Sequence, residues 1–128
     1  MTVRTEKIAG QIQQEIAQML LRGEVRDPRL SGLISVTSVE ISRDLQQAHV
    51  RVSVMGGTDQ IEESSLAALR HAAGFLQNQL GRRLRLRNTP HLIFSLDRSM
   101  AEAERMAKIL ADLHIPPAEE GEEKDRES

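Results

Sequence analysis

The sequence predicts an α+β fold, with one three-stranded sheet, helices packed on one of its faces, and the other face left partly open. Three observations predict it. Two stretches rich in β-branched residues, "LISVTSVEI" and "AHVRVSVM", are separated only by "SRDLQQ", which is short enough for a hairpin. A third strand-like stretch, "HLIFSL", comes later, behind a long helical segment. The remaining apolar residues recur at helical spacing, giving the order helix, strand, strand, broken helix, strand, helix, which is incompatible with a doubly wound sheet.

The first helix should run from Thr5 to Leu21, with Ile8, Ile12, Ile16, Met19 and Leu20 forming one stripe and Gly23 stopping it. "VRDPRLSGL" is a connector punctuated by Pro28 and Gly32, and Asp27 before proline favours extended or turn backbone. In the first strand the apolar phase slips between Val36 and Val39, which predicts a bulge or partly two-sided burial. The second alternates, with Ala48, Val50, Val52 and Val54 on one side and Arg51 and Ser53 on the other.

Asp59 followed by Glu62 reads as a capping box opening a long helical stripe: Leu66, Leu69, Ala73, Leu76, Leu80 and Leu84. Gly74 interrupts that stripe at a cost of about 1 kcal/mol, yet the stripe resumes beyond it, so a kink is expected there rather than an end. Pro90 closes the segment, and Leu92, Phe94 and Leu96 share one side of the third strand. Ser99 with Glu102 reads as a second capping box, opening a short last helix with Met106, Ile109, Leu110 and Leu113. Residues 1–115 are expected to form one domain. Residues 116–128 form an acidic tail with no apolar residue beyond Ala118, and are expected to be disordered.

Charge is polarised along the chain. The net charge of −2 conceals a tail from Ala118 to Ser128 in which six carboxylates face two cations, leaving +2 on the rest. The absence of cysteine excludes disulfides, thiolate metal sites and cysteine nucleophiles. No apolar run approaches the ~18 residues of a membrane span, and the N-terminus lacks the apolar block of a signal peptide, so a cytoplasmic protein without a membrane partner is expected. His49, His71, His91 and His114 lack ligand spacing, so no metal and no cofactor are expected. There is no G-x-S-x-G elbow, Asp44 and Asp97 read as turn and cap residues at strand ends, and Gly56-Gly57 lacks the flanking residues of a phosphate loop. An enzyme acting on a small-molecule substrate is therefore not expected.

What stands out is cationic. Residues 64–96 hold Arg70, Arg82, Arg83, Arg85 and Arg87 and not one carboxylate. A guanidinium offers a planar fork suited to phosphate, and with no local acidic partner this cluster is expected to meet a nucleic-acid backbone. Arg4, Lys7, Arg29 and Arg43 extend the expected footprint, though some of these cations will pair with nearby Glu6, Glu24, Asp27 or Asp44. Asp27 and Arg29 flanking Pro28 serve equally well as a structural loop lock. Only two rings exist, Phe75 and Phe94, which argues against base stacking as the main readout and for binding folded RNA by charge and shape. The alternative is a protein-interaction adaptor that docks an acidic protein patch on the same arginines.

The DPRL loop, the SRDL-x-x-A-x-V hairpin and the LRLR-x-x-P-x-L-x-F-x-x-D-x-S run occur in that order behind an amphipathic helix, and together resemble the ribosome-binding factor A family from Val3 to Leu113. The resemblance implies a type II KH-like RNA-binding fold, ordered α-β-β-α-kink-α-β plus a short C-terminal helix, in a monomer. It also implies an Ala-x-Gly kink, matched by Ala72-Ala73-Gly74, in place of the G-x-x-G loop that clamps nucleotides in other KH domains. The function it implies is non-enzymatic: binding the free 30S ribosomal subunit and 16S rRNA during late maturation and 5′-end processing of that rRNA.

Overall fold

The computed structural model describes residues 3–30, 33–56 and 58–113. The elements run α1 (Val3–Leu21), β1 (Leu33–Ile41), β2 (Gln47–Met55), α2 (Asp59–His71), α3 (Ala73–Arg83), β3 (His91–Leu96) and α4 (Ser99–Asp112). This is the α+β, type II KH-like order. Contacts group the chain into two units, Met1–Asp97 and Arg98–Ser128, which are described separately. The expected acidic tail at 116–128 lies outside the described residues, as do Gly32, Gly57 and His114.

In the first unit, β1 pairs antiparallel with β2, and β2 pairs parallel with β3. The parallel pairing is possible because α2 and α3 supply the long crossover it requires. The expected bulge is present as a register shift between Val36 and Ser38, and Gln13 of α1 donates to the Val36 carbonyl beside it (3.2 Å). Alternation in β2 holds throughout, with Ala48, Val50, Val52 and Val54 buried. Ala48, Val50 and Val52 share one core cluster with Ile12, Ile16 and Met19 of α1, Leu69 of α2, Leu76 and Leu80 of α3, and Leu92 and Phe94 of β3. Each large apolar side chain removed from water contributes about 1.5–3 kcal/mol, so this one cluster carries the fold. His49, Arg51 and Ile93, at alternate positions, are exposed.

α1 ends on Gly23 at φ +72, with Glu24 N–H donating to the Met19 carbonyl (3.0 Å) and Gly23 N–H to that of Leu20 (3.2 Å). That is the paired bonding of a Schellman cap. The hairpin turn is tied by Asp44, which accepts from the Ser42 hydroxyl (2.7 Å) and the Gln46 N–H (3.1 Å). Both bonds hold its carboxyl below the usual range.

Three local expectations need correction. The cap of α2 is Thr58, whose hydroxyl accepts from Ile61 N–H (3.3 Å), so Asp59 is already helical. Ser99 likewise lies inside the first turn of α4, with Arg98 in the cap position. The break between α2 and α3 sits at Ala72 (φ −86, ψ 0), the first residue of the expected Ala72-Ala73-Gly74 kink, rather than at Gly74 itself. Those angles are open to any residue, and Gly74 is not among the positive-φ glycines. The helical bonding continues on both sides, from Ala72 N–H to the Ala68 carbonyl and from Leu76 N–H to that of Ala72, both 2.9 Å.

Described by itself, α4 buries no residue, and Met100, Met106, Ile109, Leu110 and Leu113 are exposed along it. Among the described residues, no helix is long and apolar enough to cross a membrane, and no three His, Asp or Glu side chains gather as a metal site would require.

Candidate nucleic-acid interface

Helix α3 has two faces of opposite character. Leu76 and Leu80 are fully buried, while Gln77, Asn78, Gly81 and Arg82 turn outward and, with Gly74, form one wall of a cleft of about 490 Å³. The other wall is the segment between α3 and β3, contributing Arg87, Asn88 and Thr89. No carboxylate lines this cleft. A second cleft of about 520 Å³ shares Arg87, Asn88 and Thr89 and extends to Arg4 and Ile8 of α1 and to Asp44, Leu45 and Gln46 of the hairpin turn.

The local chain explains this placement. Leu86 N–H donates to the Gly81 carbonyl (3.1 Å), closing α3 with the bond a Schellman cap uses, and Arg85 takes the left-handed position at φ +54. The chain then doubles back along α3 towards Pro90, which is buried. A Cβ at Gly81 would lie 2.6 Å from Thr89 Oγ1, so any other residue there would force the Thr89 hydroxyl to turn away.

The expected arginines therefore separate. Arg82 and Arg87 share the first cleft, and Arg4 joins Arg87 at the second. Arg43 is exposed in the turn that edges the second cleft, Lys7 is exposed on α1, and Arg85 is exposed on the intervening segment. Among the described residues, none of these six cations has a carboxylate partner. The expectation that the whole cluster lacks acidic partners fails at Arg83, which pairs with Glu15 of α1 (3.2 Å) and with Glu24 after it. These hydrogen bonds, Glu24 foremost, raise the Arg83 pKa, and the Glu24 carboxyl is lowered in return. The partners are remote in sequence, so no local count of charges could find them.

Arg29 is also committed. Its Nε and Nη2 grip the two oxygens of Asp27 (3.1 and 2.8 Å), its backbone N–H donates to Oδ1 (2.9 Å), and the Asp27 carboxyl falls to about 2. Ser65, buried in α2, donates to the Arg29 carbonyl (3.5 Å). The DPRL loop is thus a lock holding the connector to α2, the structural member of the two readings. Arg70 donates to the Phe94 carbonyl (3.3 Å) and lines neither cleft. Phe94 is core, whereas Phe75 is exposed beside Asp27 and His71, away from the arginine clefts. Gln77, Asn78, Asn88 and Thr89 escaped the sequence reading, although the amide-rich "QNQ" and "RNT" are visible signals.

The element order, the mixed sheet and a helix break without a G-x-x-G loop define a type II KH-like module bearing a cationic end. A family model described as ribosome-binding factor A matches residues 4–110. A ribosome-binding factor A from Magnetococcus marinus is 42% identical over 96% of this chain and 98% of its own, and one from Trichodesmium erythraeum is 43% identical over 86% and 80%. The crystal structure of ribosome-binding factor A from Thermus thermophilus superposes with a TM-score of 0.62 at 32% identity, covering 74% of this chain and 98% of that one. A homology model of the Thermus thermophilus factor, fitted into a cryo-EM map of its 30S complex, matches with a TM-score of 0.57 at 30% identity over 70% and 91%. The chain belongs to the ribosome-binding factor A family.

Proposed function

We propose that this protein binds the free 30S ribosomal subunit through 16S rRNA and assists late maturation and 5′-end processing of that rRNA in the cytoplasm, without catalysing a reaction. The observation that carries the reading is the exposed set Arg82, Arg85, Arg87 and Arg4 at one end of the fold, with no carboxylate partner among the described residues. Family membership supports it, as does the 30S complex of the Thermus thermophilus relative.

The test is co-sedimentation with purified 30S subunits across a salt series. Each phosphate contact contributes about −0.7 to −0.9 to the slope of log affinity against log salt, so Arg82/Arg85/Arg87→Ala should make the slope shallower by about two units or more. Arg83→Ala should leave it unchanged. Equal slopes for the intact protein and the triple variant reject the surface. The exposed apolar stripe on α4 favours a second reading, an adaptor for a protein partner. Nuclease treatment separates the two, because an adaptor keeps its partner after RNA is digested.

A further inference from the structure

The cleft between α3 and the segment that follows it offers more than a bare phosphate requires. A phosphate is satisfied by Arg82 and Arg87, yet Gln77, Asn78 and Asn88 also line the cleft, which has no carboxylate and no ring. Each amide presents a donor beside an acceptor, the pairing that the edge of a nucleobase answers. At about 490 Å³ the cleft is within the range of about 300–1,000 Å³ typical of small-molecule sites.

Two glycines shape it. Gly81 leaves room for the Thr89 hydroxyl, which a Cβ there would displace, and the Cβ position of Gly74 meets nothing within 4 Å, leaving that wall open. Among the described residues only Leu45 and Arg85 are non-glycine at positive φ; Leu45 lines the second cleft, and Arg85 lies between Arg82 and Arg87 in the segment after α3 while lining neither cleft. Such residues cost about 1–3 kcal/mol each and concentrate at ligand sites.

We infer that this cleft seats one unpaired RNA nucleotide, with Arg82 and Arg87 on its phosphate and Gln77, Asn78 and Asn88 hydrogen-bonded to the edge of its base. The inference rests on the RNA-binding reading above and sharpens it, because recognition by amides needs neither stacking nor a G-x-x-G loop. It also gives Gly74 a role other than bending the helix, that of keeping one wall free of side chain.

The test uses fluorescence anisotropy with labelled single-stranded RNA hexamers of adenine, cytosine or uracil. The intact protein should prefer one base by about fivefold or more, since bidentate amide contacts discriminate on this scale. Asn78→Ala/Asn88→Ala should erase the preference and bring all three hexamers to one common, lower affinity. Arg82→Ala should weaken all three alike, and Gly74→Leu, whose side chain enters the cleft, should weaken all three without lowering Tm. Equal binding of the three hexamers by the intact protein, or a preference that survives loss of both asparagines, overturns the inference. Co-sedimentation of the intact protein with 30S subunits, run in parallel, separates the two readings. If it is retained while the hexamers bind equally, only the nucleotide seat falls; if it is lost, the proposed function falls.

Discussion

The C-terminal ends of α1 and α3 close with the same backbone bond and opposite chemistry. Glu24 N–H reaches back to Met19 in one, and Leu86 N–H to Gly81 in the other. The left-handed residue is Gly23 in the first and Arg85 in the second. Around the first end charge is balanced, since Glu24 meets both Arg22 (3.7 Å) and Arg83. Around the second, Arg82, Arg85 and Arg87 have no carboxylate among the described residues. The difference teaches that glycine is used where only conformation matters. An arginine at the same position carries strain that glycine would relieve, so exchanging the two residues tests whether the Arg85 side chain serves something outside the fold.

The largest expected effect removes what the two ends share. Met19 and Leu80, fully buried just inside each terminus, belong to one core. Leu80→Ala should lower the unfolding free energy by about 2–5 kcal/mol, measured by urea denaturation. A loss well below that range would mean that the end of α3 is not anchored through the core.

Next comes exchange of the terminating residues. Arg85→Gly should stabilise the chain by about 1 kcal/mol, the left-handed penalty of a residue with a Cβ. That raises Tm by about 4–8 °C, while the salt slope for 30S binding should shrink by about one unit. Gly23→Arg should cost a similar amount of stability and leave the slope alone. A destabilised Arg85→Gly would remove the strain argument. A stabilised one with undiminished binding would leave Arg85 without an external partner.

Local pattern carried most of the fold, because its periodicities describe the same core the structure shows. The slip between Val36 and Val39 marked the bulge, Gly23 the end of α1, and the Leu69–Leu76–Leu80 spacing the inner face of α2 and α3. The candidate site was legible only in part. Arginine content marked the region where the clefts lie, but separating Arg82 from Arg83 depends on neighbours in helix rotation and on glutamates in and just after α1. Gly74 attracted the kink because glycine weakens helices, whereas Ala72 carries it at angles any residue accepts. The cleft was hidden because it forms only when the segment after α3 folds back over Gly81.

A smaller effect sharpens the contrast within α3. Arg83→Ala should lower Tm by about 2–5 °C, the reach of a partly exposed ion-pair network, with no change in salt slope. Arg82→Ala should do the reverse. Identical behaviour of the two variants would dissolve the distinction between structural and RNA-facing arginines.

The smallest effect separates the regions by pH. The Asp27 carboxyl, lowered to about 2 by the Arg29 side chain and backbone N–H, takes up its proton in the unfolded chain before it does so in the folded one. Its contribution to stability is therefore complete above the ordinary carboxylate range and fades as pH falls from about 4 towards 2. Asp27→Asn keeps a side-chain oxygen for the Arg29 N–H but loses the charge. It should therefore be slightly less stable than the intact chain near neutral pH, and the gap should narrow on acidification, as read from urea midpoints. A gap that stays constant with pH would mean the pair is not formed in solution. Acid should thus loosen the connector beyond α1, where Asp27 holds Arg29.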